Sequence, residues 1–226
     1  MECKKGSLIL LRHNEIRDEL AFLASQALTP SSVRDEPFIY PCRPATMESS
    51  PATGLPATTD PATPPSPVER NLRKNAGSAE RGDILIRNCW TQGTDCIIDV
   101  RVTDTDAASY RSRPPEKVLA EHERAKKRKY LEACQAQRRD FTPFVVSADG
   151  LLGKEAKTLL RQLSSRLAEK YEKAYSQVCG FVMARMSIAI VRATHLCLRG
   201  SRIPTRAMSR HQPLWEDGAG ISLFRY

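Results

Sequence analysis

Residues 81–103, RGDILIRNCWTQGTDCIIDVRVT, hold the residues whose types and spacing could do chemistry. They read as two short strands joined at Thr91-Gln92-Gly93-Thr94, with glycine where a chain reversal needs one. Asp83 heads the first strand and Asp99 lies inside the second. Strand side chains alternate, so Asp99 and Arg101 share one face while Ile98, Val100 and Val102 share the other. Closing this hairpin brings two carboxylates together beside a cation. That is the minimum set for holding a divalent ion and cutting a phosphodiester. The same residues admit a purely structural reading, with Asp83 capping a strand end and Asp99 paired to a nearby cation.

Other elements must position these groups. Residues 6–11 read as a brief strand or an apolar lead-in. A helix follows over 13–28, with Asn14 as its N-cap and Ile16, Leu20, Leu23 and Ala27 on one stripe. His13 and Arg17 lie four apart on the rim of that stripe. From 41 to 79 proline, alanine, threonine and serine dominate, and the segment cannot bury enough surface to offset its ordering entropy. It reads as a disordered insertion.

After the hairpin, Pro114 and Pro115 open a helix over 115–138 carrying Lys126, Lys127, Arg128 and Lys129, with Val118, Leu119, Ala125 and Leu131 able to contribute buried contacts. A strand at 143–147 follows. A helix at 153–173 turns Ala156, Leu159, Leu160, Leu163 and Leu167 inward, and a largely apolar helix at 175–198 ends at Gly200. The order helix, strand, strand, helix, strand, helix, helix predicts an α/β fold with a small mixed sheet. The chain divides into 1–40, the insertion 41–79, a core over 80–205 and an irregular tail 206–226.

Composition narrows the partners. The chain has 226 residues and a formal net charge of +9, with a pI near 9.4. Clustered basic residues favour an anionic partner, nucleic acid ahead of a membrane surface. Seven cysteines without a CxxC pair argue against a disulfide framework and for a reducing compartment. The longest apolar run, 178–191, is interrupted by Arg185, so no membrane span is expected. The first residues lack the features of a secretory signal. The expectation is a soluble, intracellular protein.

In order, RHNEIRDEL, RGD at a strand head, DVRV in the next strand, KKRKY on a helix and PFVVSADG resemble one known domain. It is the restriction-like endonuclease domain of site-specific non-LTR retrotransposons, a branch of the PD-(D/E)xK nucleases. The resemblance covers roughly 3–40 and 80–205. It implies a restriction-endonuclease-like core of helix, β-hairpin, helix and strand with additional C-terminal helices. It also implies a place at the C-terminal end of a longer reverse-transcriptase protein; no polymerase motif is present here.

By this resemblance Asp83 and Asp99 hold Mg²⁺ (or Mn²⁺), and Arg101 stands where the family places a lysine. Arginine cannot act as a base at neutral pH but can offset phosphate charge. Lys129 and Tyr130, with Lys126 in reserve, are expected to supply the lysine function from the next helix. His13 belongs to the arginine-histidine motif near the cut phosphate. Gly82 replaces the motif proline. Cys3 and His13 could be half of a zinc element, but two ligands do not hold a structural zinc and none is assigned.

The implied function is metal-dependent nicking of DNA, nuclear where the target is chromosomal. Lys126, Lys127, Arg128, Lys129, Arg138 and Arg139 are expected to neutralise backbone phosphates, with Tyr130 beside them. Two rivals stand beside it. One is an inactive DNA- or RNA-binding remnant of the same element, and the other is a basic RNA-binding scaffold. No helix-turn-helix, zinc finger or RNP-type aromatic pair reads specific bases.

Overall fold

Apolar periodicity sets the layers. In the computed structural model, which describes residues 6–40 and 80–199, the first helix α1 spans Gly6–Ala27. Its stripe Ile16, Leu20, Leu23, Ala24 and Ala27 is buried against the sheet. The helix absorbs residues 6–11, expected as a strand or lead-in, so Asn14 lies inside it and caps nothing. An apolar run without alternation suits either element; length and a helical neighbour decide here.

A short 3₁₀ turn, Pro30–Ser32, leads to β1, Val33–Asp35, a strand the sequence did not signal. The hairpin is as expected: β2 is Ile84–Arg87 and β3 is Asp95–Thr103. Gly93 takes φ 82° in the connection and donates its N–H to Asn88 Oδ1 at 2.6 Å. Helix α2, Pro115–Ala136, crosses to β4, Asp140–Ser147, which lies parallel to β3. The sheet order is β1-β2-β3-β4, antiparallel except for that last pair. Helices α3, Lys154–Lys170, and α4, Tyr175–Arg199, complete the described chain.

The result is mixed α/β, with helices on both faces of a four-stranded sheet. Ile84, Ile86, Ile98, Val100, Phe144 and Val146 face α1, α3 and α4. Ile97 and Phe141 face α2, where Tyr130, Ala133 and Cys134 pack with Ile39 and Tyr40. All five residues expected inward on α3 are buried. Val118 and Leu119 are buried on α2, while Ala125 and Leu131 are only half-buried.

As expected, α4 runs through Arg185, whose guanidinium donates to Glu19 of α1 at 2.6 and 3.2 Å. By length and composition alone, Tyr175–Leu198 could cross a membrane, a correction to the expectation of no such run. Val178, Val182, Met186, Ile190 and Ala193 bury one side of it in the core. The insertion 41–79, Cys3, Gly200 and the tail 206–226 lie outside the described residues.

Candidate active site

The site forms where β2 begins. Ile84 pairs with Ile98, and one step earlier the Asp83 N–H donates to Ile98 O at 2.9 Å. Beyond that point no strand among the described residues pairs with β3 on this side. Asp83 fills the gap, its Oδ2 accepting the Val100 N–H at 2.6 Å. The carboxylate therefore continues the hydrogen bonding of the sheet where the neighbouring backbone has turned away.

Gly82 makes this approach possible. A Cβ there would lie 2.3 Å from Ile97 Cγ2, inside van der Waals contact.

From one side, α1 brings His13 to Asp83, with Nε2 3.2 Å from Oδ2. The hydrogen bond to Asp83 raises the His13 pKa above its ordinary value, against the opposing effect of burial. Nδ1 lies 3.4 Å from Asn14 Oδ1, so both ring nitrogens have an acceptor and the imidazolium is favoured. Arg17, one helical turn on, adds positive charge near the same carboxylate.

From the other side, α2 brings Lys126 to Asp99, with Nζ 2.5 Å from Oδ2. Asp99 is only 6% exposed. Burial pushes its carboxyl above the usual range, Lys126 pulls it back, and the charge on Asp83 adds to the rise. The two acids thus feel one another across the start of β2, although their cationic partners come from opposite layers. Asp99 Oδ2 is fully buried and has no well-aligned hydrogen-bond donor.

Two carboxylates beside a cationic rim suit Mg²⁺, which commonly takes one or two carboxylates with the rest of its shell from water and phosphate. The buried Asp99 Oδ2, held by Lys126, could serve such a role only in exchange for that contact. Among the described residues no cluster of three or more His, Cys, Asp or Glu side chains is arranged to hold a metal. Any ion here would depend on substrate oxygens.

The remaining candidates are placed as follows. Lys129 pairs with Glu80 at 2.8 Å and lies 4.7 Å from the Tyr130 ring centroid. Tyr130 is a buried core ring packed on Phe141, which leaves it little surface for nucleic acid. Arg101 shares the Asp99 face but reaches His122, with Nη2 3.3 Å from Nε2. Lys127 pairs with Glu155 at 2.7 Å, and Arg139 donates to Phe38 O at 3.3 Å. Arg128 and Arg138 are exposed.

The sequence reading missed the Arg101 network. His122 Nε2 faces both Arg101 and the Tyr110 hydroxyl, at 3.3 and 3.2 Å, and Nδ1 lies 2.9 Å from Thr103 Oγ1. A guanidinium only donates, so Nε2 accepts and Nδ1 carries the proton toward Thr103. Burial, then Arg101, lowers the His122 pKa. Glu123, the next residue, accepts the Glu155 N–H at 2.9 Å and caps α3, fixing α2 along its axis. The available signal was helical phase: Leu119, His122, Lys126, Tyr130 and Ala133 form one inward row, and Lys129 is off it.

No protein-family model matches the chain, and no curated protein matches it.

Proposed function

We propose that this chain is a metal-dependent DNA-nicking domain, with a restriction-endonuclease-like core inside its mixed α/β fold. The observation that carries the reading is the contact between Lys126 and the buried Asp99, one strand from the His13–Asp83 pair. Asp83 and Asp99 would hold Mg²⁺ or Mn²⁺, which when bound supplies an acidified water and offsets charge on the phosphate. Lys126 takes the lysine role expected of Lys129. Released from Asp99 as substrate enters, its ammonium can orient the attacking water or offset charge on a non-bridging oxygen. His13, whose pKa the hydrogen bond to Asp83 raises, adds a second positive charge when protonated.

DNA contact falls to the exposed Arg128 and Arg138 first, since Lys127, Lys129 and Arg139 have internal partners. Element RNA is a second ligand for the same charges. With chromosomal DNA as target, the working compartment is the nucleus.

A second reading, an inactive nucleic-acid-binding remnant, draws on the two acids being gripped from opposite layers. A nicking assay on supercoiled plasmid separates the two. Mg²⁺- or Mn²⁺-dependent nicking by the wild type, abolished in Asp99→Asn, supports the enzyme. Salt-dependent DNA binding with no nicking, unchanged by Asp99→Asn, supports the remnant.

A further inference from the structure

Among the described residues, six of the eight exposed large apolar side chains lie on the C-terminal half of α4 and the first turns of α1. Ile188, Val191 and Leu198 of α4 are 58%, 66% and 63% exposed. With the exposed Ala184 and His195 they fall at 184, 188, 191, 195 and 198, alternating steps of four and three. That is the a/d spacing of a coiled-coil seam, running along the side of α4 opposite its buried row. The alternation specifies the shape of the occupant, since knobs at this spacing fill holes on another helix.

The seam is short. Two heptads cover about 21 Å of helix, too little for a free coiled coil, so further apolar surface must join it. Helix α1 supplies it. It runs antiparallel to α4, with Cys197 Sγ 3.2 Å from Leu8 O and Arg192 paired to Glu15 at 3.3 Å. This places Ile9, Leu10 and Leu11, all at least 45% exposed, beside the C-terminal end of the seam.

Charge selects among occupants. The chain carries +9 overall, yet the arginines flanking the seam, Arg185 and Arg192, are neutralised by Glu19 and Glu15 within the same subunit. A nucleic acid or an anionic membrane would need those cations free. Two copies meet here with these flanking arginines already paired, and a two-fold pairing brings the same seam from both sides.

We propose that α4 pairs with α4 of a second copy through Ala184, Ile188, Val191, His195 and Leu198, with Ile9–Leu11 of α1 at the margin. The pairing rests on α4 and the first turns of α1 alone and does not depend on the nicking activity.

The test is sedimentation velocity on the full chain over a range of concentrations, with Val191→Glu and the milder Val191→Ser. The wild type is expected to dimerise reversibly. Val191→Glu should weaken association by roughly tenfold or more, and Val191→Ser by less, with melting temperatures matching the wild type at concentrations where all are monomeric, because the position is exposed. A wild type that stays monomeric overturns the proposal, as does a Val191→Glu protein that dimerises like the wild type. A monomer that floats with phosphatidylcholine vesicles, and loses this in Val191→Glu, overturns it in favour of a lipid surface.

Discussion

Lys126 Nζ lies 2.5 Å from Oδ2 of Asp99, a carboxylate with 6% of its surface exposed. The pair is poised and costly together. Burial raises the Asp99 pKa, and Lys126 is the first influence opposing it. A cation so placed keeps a buried acid chargeable, which a metal-binding carboxylate requires.

The pair should therefore be tightly coupled. Lys126→Met is expected to destabilise the fold by about 1–3 kcal/mol at neutral pH, because it leaves an uncompensated buried charge. Asp99→Asn in the same chain should recover part of that loss, and chemical denaturation of the four proteins gives the coupling. The Lys126→Met deficit should shrink on acidification. An acid whose folded pKa is raised contributes stability below its unfolded pKa and loses it as pH rises. A deficit independent of pH would count against the pair.

His122 sets a slope of the opposite sign. Its folded pKa lies below the ordinary 6.5, so its neutral form is the native one. Above 6.5 both states are neutral and its contribution is full. As pH falls through 6.5 toward the lowered folded value, the unfolded chain takes up a proton first and stability is lost. Melting temperatures of wild type and His122→Gln between about pH 7.5 and 5 should diverge in this way, the wild type losing more. Parallel curves would show that His122 titrates normally.

Gly82 offers a local test of the β2 entry. Gly82→Ala should cost about 1–3 kcal/mol, the usual range for overpacking a filled core, since its Cβ meets Ile97 Cγ2 at 2.3 Å. Ile97→Ala removes the obstructing atom, so the double variant should lose less than the sum of the singles. Strict additivity, measured by urea denaturation, would place the strain elsewhere.

The layers were legible because burial writes period into sequence. Ile16, Leu20, Leu23 and Ala27 fixed the inner face of α1, and Leu159, Leu160, Leu163 and Leu167 that of α3. The hairpin was legible from Gly93 and its apolar flanks. Strand β1 was not, because three residues, Val33–Asp35, are too few to show alternation and their pairing with β2 is long-range.

The site was half legible. Asp83 and Asp99 stood out by type and by the hairpin between them. The choice of Lys129 over Lys126 followed adjacency to Tyr130. Rotation about α2 instead carries Lys126 inward and Lys129 to Glu80. The His122 network could not be read at all, because Tyr110 and Thr103 reach it through tertiary packing.

The most direct measurement compares Mg²⁺-dependent nicking by wild type, Lys126→Ala and Lys129→Ala, prepared alike and each checked for folding. The geometry predicts that Lys126→Ala loses about 100-fold or more in rate, in the range of lost electrostatic stabilisation, while Lys129→Ala stays within a few-fold of wild type. Equal activity in Lys126→Ala and wild type, or a loss confined to Lys129→Ala, would contradict a cutting centre built on Asp99 and Lys126.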